Sequence, residues 1–330
     1  MSQEMESRGT RGLHHITAIA GPAQENLDFY AGVLGMKLVK KSVNQDDPGT
    51  YHLFYADAEG RPGTDLTFFP WAHLAPSRPG HGLASEVALA VAPGSLAYWA
   101  ARLENYGVPV GAPESRFGDT VLALIDPHGL RVALVESASA AARPFTPWEG
   151  GPVPVERQIR GLDGARVGLR QLAPTEALLA APMGLTRIAE ENGWVRWGIP
   201  DGGESGRAHS GTRLDLAHRP DTQRGMWGTG AVHHLAWRVD DEAHELALRA
   251  AIAESGPHPT PVIDRFWFKS VYFKEPGGVL FELATDGPGF AVDEAIERLG
   301  ETLVLPPWLE PQRAAIAAAL PALTPPAASS

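Results

Sequence analysis

Two short runs carry the residues best suited to chemistry, His14-His15 and Val232-His233-His234-Leu235. Each places paired imidazoles at the start of a strand-like stretch. A third run, Gly277-Gly278-Val279-Leu280-Phe281-Glu282-Leu283, puts one carboxylate on another strand. Two histidines and one carboxylate are the facial donor set of non-haem Fe(II), which leaves positions open for substrate and O2. Zinc accepts the same donors, so residue types alone do not choose the metal. A single strand histidine is more often a core or surface residue than a ligand; it is the recurrence of the pair that carries weight. Glu282 is more telling. A carboxylate between Phe281 and Leu283 needs a metal or an arginine partner once buried, and Arg238 and Arg265 are the candidate partners.

Strand alternation chooses within each pair. His14 is in phase with the apolar Ile16, Ala18 and Ala20, and His233 with Leu235, Trp237 and Val239. His15 is in phase with Thr17, and His234 with Ala236 and Arg238. The second histidine of each pair is therefore expected to face a cavity. Glu282 shares a face with Leu280 and Ala284.

The elements that must position these residues recur along the chain. Strand 13–20 is followed by a helix ending at Gly35 and by strands 36–43, 51–57 and 64–70, with turns at Asp46-Asp47-Pro48-Gly49 and Glu59-Gly60-Arg61-Pro62-Gly63. The second unit has strand 84–92, helix 94–106 and a hairpin of 119–125 and 129–136. The third has strand 162–170, helix 174–182 and strands 185–190, 193–199 and 211–217. The fourth has strand 231–239, helix 241–255 and strands near 261–265, 268–274 and 278–285. Four βαβββ units at a period of about 60–70 residues form an internal repeat, which sets the fold class as α+β. The expected organisation is a first domain at 12–138 (modules 12–75 and 82–138), a linker at 139–157, a second domain at 158–290 (modules 158–220 and 229–290) and a tail at 291–330 with short helices at 293–299 and 310–320. Units one and four carry the candidate ligands. The second unit begins Leu83-Ala84-Ser85-Glu86 and the third Leu162-Asp163-Gly164, without histidine; Glu136 and Asp215 sit near the Glu282 position and read as structural or solvent-facing. A single site thus requires units one and four to face each other.

Composition narrows the function classes. The 330 residues are 44% hydrophobic, enough for a sizeable core. A net charge of −11 without a basic run argues against nucleic acid. The chain has no cysteine, which excludes disulfides, thiolate zinc sites and a cysteine nucleophile. The polar N-terminus does not read as a signal peptide, and no apolar run reaches membrane-spanning length, so the expected location is the cytoplasm with no membrane partner. Self-association is left open.

The motifs Gly12-Leu-His-His-Ile-Thr17, Asp47-Pro-Gly-Thr-Tyr-His-Leu53, Val232-His-His-Leu235 and Ser270-Val-Tyr-Phe-Lys-Glu-Pro-Gly-Gly-Val-Leu-Phe-Glu282 together resemble the vicinal-oxygen-chelate superfamily, the glyoxalase/bleomycin-resistance/dioxygenase fold. Within it the chain looks most like ring-cleaving dioxygenases of hydroquinones and chlorohydroquinones, over about residues 12–290. The resemblance implies two curved-sheet, barrel-like pairs with units one and four around the metal. It implies Fe(II), or Mn(II), on His15, His234 and Glu282, an aromatic substrate and O2. It further implies polar pocket roles for Thr17, Tyr272, His14 and His233, and for an arginine matching Arg265. Tyr272 would donate a hydrogen bond or act as acid/base. Strand phase points His14 and His233 away from the metal, so their roles stand open between sheet packing and support of the ligands.

Other residues are weaker candidates. His52 reads first as a hydrogen-bonded core histidine. Phe69, Trp71, Phe266, Trp267 and Phe268 could wall an aromatic pocket. His73, His81, His128, His209, His218, His244 and His258 read as surface. Two alternatives accompany the dioxygenase reading. A glyoxalase-like isomerase or thiol transferase wants a fourth protein ligand, but Thr67 or Phe68 occupies the corresponding register, with Asp65 nearby. A non-enzymatic module that sequesters an aromatic drug would not need the three ligands.

Overall fold

The computed structural model describes residues 9–199 and 211–326. Among the described residues, sixteen strands form two eight-stranded sheets of the same topology. The first runs β14(Ile263–Asp264), β15(Lys269–Lys274), β16(Leu280–Thr285), β13(Val232–Val239), β1(Leu13–Ala20), β4(Asp65–Pro70), β3(Asp47–Ala56), β2(Lys37–Asn44). It joins the first and fourth sequence units. The second runs β10(Thr186–Glu191), β11(Trp194–Gly198), β12(Arg213–His218), β9(Leu162–Leu169), β5(Leu83–Val91), β8(Arg131–Glu136), β7(Asp119–Ile125), β6(Glu114–Arg116), joining the second and third.

Each unit follows one rule. Its first strand pairs in parallel with its last, and the intervening strands add outward in antiparallel fashion. The helix makes the parallel crossover feasible, because parallel strands cannot be joined by a tight turn. The four helices are α1(Ala23–Leu27), α2(Leu96–Asn105), α3(Ala173–Ala180) and α4(Glu242–Glu254). After Leu27, the first continues as a wider π-type turn to Val33, where Leu34 N–H reaches back to Phe29 O. It ends at Gly35, whose φ of +66° and tight approach to Val153 both demand glycine.

Alternation puts apolar side chains of both sheets into one core that also receives the helices. Ile16, Leu235, Trp237, Phe281 and Leu283 enter it from the first sheet, and Val87, Leu89, Val132 and Leu134 from the second. The opposite side of the first sheet carries a separate aromatic cluster including Phe54, Trp267, Phe268 and Phe290. The corresponding cluster of the second sheet is small and aliphatic: Val121, Ala133 and Val135. The tail after 290 folds back on the first sheet. Leu305, Leu309 and Ile316 cover Val43, and the buried Lys40 ammonium bonds Asp293 and Glu294. The helix expected at 293–299 shrinks to one turn at Ile296–Arg298, whereas α5(Arg313–Ala319) forms inside the other expected span. No helix among the described residues is long and apolar enough to cross a membrane.

Candidate metal centre

The central antiparallel pair β1/β13 and the neighbouring β16 bring three side chains to one point. Ala236 on β13 lies opposite His15 on one side and opposite Glu282 on the other. Its methyl leaves room for the two longer side chains beside it. His234, two residues earlier on the same face, completes the group. His15 Nε2 is 3.2 Å from His234 Nε2, and Glu282 Oε2 is 2.9 Å from His234 Nε2 and 3.4 Å from His15 Nε2. All three residues are buried, and among the described residues this is the group of ligand-type side chains close enough to hold one ion.

Both arginines that could have neutralised Glu282 are engaged elsewhere. Arg238 pairs with Asp286, and Arg265 pairs with Asp46 at 2.9 Å. Glu282 Oε1 accepts from the Ser270 hydroxyl, while Oε2 has no hydrogen-bond partner. Burial would raise its pKa, but His15 and His234 outweigh burial and hold the carboxyl well below the ordinary range.

The first histidine of each pair supports the second. β1 bulges at His14: Leu13 pairs with Trp237 and His15 with Ala236, so His14 has no cross-strand partner. Its ring therefore does not continue the helix-facing row; it lies 5.3 Å from Phe268. His14 Nδ1 is 2.9 Å from His15 Nδ1, and His233 Nδ1 is 2.8 Å from His234 Nδ1. One ring of each pair must donate and the other accept. A ligand imidazole presents a bare Nε2 to a metal, which requires His14 and His233 to be the acceptors at Nδ1. In that arrangement His15 and His234 would donate through Nδ1 and turn their Nε2 lone pairs toward Glu282 Oε2. Burial, with His15 adding to it, holds His14 well below its ordinary pKa; burial and His234 lower His233 to about 3. Both stay neutral, as acceptors must. Two imidazole lone pairs and a carboxylate oxygen this close repel one another unless a cation lies among them. The donor set thus fits a divalent metal with open positions.

The register also locates where a fourth ligand would stand. Thr17 pairs with Thr67 on β4 just as Ala236 pairs with Glu282 on β16. Thr67, not a carboxylate, holds that place. Its hydroxyl is 2.7 Å from Thr17 Oγ1 and 2.9 Å from His52 Nε2. Asp65 pairs with His15, is buried without a hydrogen-bond partner, and is pushed well above the carboxylate range by burial and Asp57.

A small cavity of about 40 Å³ opens onto His15 and His234. Phe69, Trp267 and Phe268 line it as expected, joined by Phe54; Trp71 and Phe266 do not. Trp71 instead packs near His233, and Phe266 against Trp308. Tyr272, across the ladder from Glu282, and Arg265 line it too, with the guanidinium 5.4 Å from the Tyr272 ring centre. Burial and Glu282 push the Tyr272 phenol far up, so it keeps its proton at neutral pH. His52 both lines the cavity and bonds Thr67. Thr17 is fully buried and connects to the cavity through Thr67 and His52. Residues 44–46 and Ser270 escaped the sequence reading. Ser270 had a usable signal, since it shares strand and face with Tyr272. Of the histidines read as surface, His128 and His244 are largely covered, by Glu25 and Asp240 among others, and His209 lies outside the described residues.

Comparison with known proteins agrees with this architecture. Residues 12–134 match the profile described as the Glyoxalase/Bleomycin resistance protein/Dioxygenase superfamily. MhqO of Bacillus subtilis, whose name assigns it provisionally to the ring-cleaving dioxygenases, is 44% identical over 94% of this chain and 96% of its own. The chlorohydroquinone/hydroquinone 1,2-dioxygenase of Sphingobium indicum is 32% identical over 91% and 92%. A crystal structure of a Bacillus subtilis protein, provisionally described as a dioxygenase, superposes with a TM-score of 0.88 at 42% identity, covering 96% and 98%. Glyoxalase I of Zea mays shares the fold at a TM-score of 0.61 and 16% identity, over 83% of this chain and 92% of its own. The paired-unit sheets, the histidine-carboxylate centre and these relatives place the chain in the glyoxalase/bleomycin resistance/dioxygenase superfamily.

Proposed function

We propose that the protein is a ring-cleaving dioxygenase that uses Fe(II) at His15, His234 and Glu282 to open a hydroquinone-type aromatic with O2. The observation that carries this reading is the three-residue centre with Thr67 in the fourth-ligand register, facing a cavity walled by Phe69, Trp267 and Phe268. A site that must bind two further molecules needs open positions, and a hydroxyl packed between Thr17 and His52 leaves them open. The names of the similar proteins point to the same chemistry for those proteins.

When bound, the metal would supply acidification of a coordinated phenol and a path for electrons to O2. The chain's own groups do the rest. His14 and His233 contact the ligand Nδ1 atoms and, by accepting there, would fix ring orientation and tautomer. Ser270 holds Glu282 Oε1, turning Oε2 toward the histidines. Tyr272 retains its proton and can donate a hydrogen bond to a substrate oxygen. Arg265 is the one cationic side chain among the residues lining the cavity and offers a positive charge to a phenolate. The aromatic walls select flat, apolar ligands and exclude water.

The test is anaerobic loading with Fe(II), followed by O2 uptake with hydroquinone, chlorohydroquinone and catechol. One O2 consumed per ring opened is expected. Nickel or zinc activity without O2 uptake would return the isomerase reading.

A further inference from the structure

We propose that Asp46 is a positioning residue that sets the Arg265 guanidinium in the substrate cavity; the inference rests on the dioxygenase reading and deepens it. Arg265 sits on the turn between β14 and β15, in the fourth unit. Asp46 sits between β2 and β3, in the first. Their ion pair spans the rim of the cavity that both line, with Nη1 to Oδ1 at 3.3 Å and Nη2 to Oδ2 at 2.9 Å. This is the two-pronged geometry that fixes a planar guanidinium in orientation as well as place.

The backbone around Arg265 is held just as firmly. Gln45 Nε2 donates to the Arg265 carbonyl at 2.9 Å, and Arg265 N–H donates to Phe268 O. The next residue, Phe266, has φ +74°, a left-handed conformation that a bulky side chain adopts only under constraint; its N–H is tied to Asp264 Oδ1. A strained turn and a cross-unit ion pair thus act on one side chain. The inner face of the guanidinium meets the Tyr272 ring. On the outer side the pairing partner is Asp46, whose side chain is 74% exposed against 15% for Arg265. Such a half-exposed pair adds little to stability, so stability is a poor reason for its geometry. Aiming Arg265 at a phenolate is a better one.

The decisive experiment is a double-mutant cycle of Asp46→Ala and Arg265→Gln, read by hydroquinone binding to anaerobic Mn(II)-loaded protein through tryptophan fluorescence, with Trp267 in the cavity as reporter. Asp46→Ala should weaken binding and raise KM roughly tenfold, with kcat changed less than about threefold and the thermal midpoint unchanged. In the Arg265→Gln background it should do nothing more. Tighter binding on Asp46→Ala, or an equal loss in both backgrounds, overturns the inference. Binding that responds as described in a wild type that consumes no O2 would sink the dioxygenase reading and keep the positioning role. A wild type that consumes O2 while Asp46→Ala leaves binding and KM untouched does the reverse.

Discussion

The two sheets use one scaffold and treat buried charge in opposite ways. By register, Glu86 on β5 occupies the place of His15, Gly164 on β9 that of His234, and Asp215 on β12 that of Glu282. In the second sheet every one of these acids is answered. Asp215 takes two hydrogen bonds from Arg196, at 2.7 and 3.0 Å, and lies 3.4 Å from Arg166. Glu86 pairs with Arg116, and Asp119 and Asp163 pair with Arg213. In the first sheet the corresponding carboxylate meets no arginine: Oε1 takes the Ser270 hydroxyl, and Oε2 faces two imidazole nitrogens with no donor assigned to it. A balanced ion network completes itself; the first centre is complete only with a cation. Identical topology therefore yields one structural core and one candidate metal site, and the partner set of a single acid separates them.

The contrast can be broken by mutation. The largest effect is expected at the first centre, where His234→Ala or Glu282→Ala should lower O2 uptake by about a thousandfold or more, since the several kcal/mol that a metal contributes to the barrier are lost. Full activity in either variant would rule out the proposed function. Asp215→Ala should leave metal content intact yet destabilise the fold by about 3 kcal/mol, because buried Arg196 loses two of its three carboxylate hydrogen bonds and keeps only Asp119. Glu282→Ala in metal-free protein should cost less than Asp215→Ala, since no buried arginine loses a partner. Denaturant titration of both variants compares the two outcomes directly.

Two smaller effects sharpen the comparison. His14→Ala and His233→Ala should each weaken Fe(II) or Mn(II) affinity about 10–100-fold by removing the acceptor of a ligand Nδ1–H; competition with a chelator measures this. Affinities equal to the wild type would return both residues to sheet packing. Glu245, buried on α4 with neither oxygen partnered, has its pKa raised to about 8 by burial, then by Glu282 and Glu242. An acid whose folded pKa lies above its unfolded value is protonated more readily in the native state. Its stabilising effect is complete below about pH 4.5 and is lost as pH rises toward 8. Glu245→Gln should therefore match the wild type near pH 5 and exceed it by about 1–2 kcal/mol at pH 8, measured by chemical denaturation. A uniform offset at both pH values would contradict it.

Much of this was legible in the chain because periodicity survives folding. The repeat of helix and strands located fifteen of the sixteen strands to within a few residues, missing the short β6. Strand phase selected His15, His234 and Glu282, the residues whose atoms converge. Phase misled at His14, because a bulge shifts the alternation and nothing local announces it. It also could not show that the first histidine of each pair turns its Nδ1 toward the second, a matter of rotamer rather than strand face. Arginine pairing was beyond reach for another reason. Arg265 meets Asp46 across 219 residues, and Arg196 meets Asp119 across 77, so their choice of partner exists only once the units have docked. Thr67 lies between these cases. Its candidacy for the fourth-ligand register was visible, and the β1/β4 ladder decided it over Phe68.

The central claim, that the first sheet holds a metal and the second replaces it with arginines, meets its most direct test in crystals grown with Fe(II) and measured at the iron absorption edge. One anomalous peak is predicted between His15 Nε2, His234 Nε2 and Glu282 Oε2, with none near Glu86 and Asp215. No peak at the first centre, or a peak at the second, would contradict it.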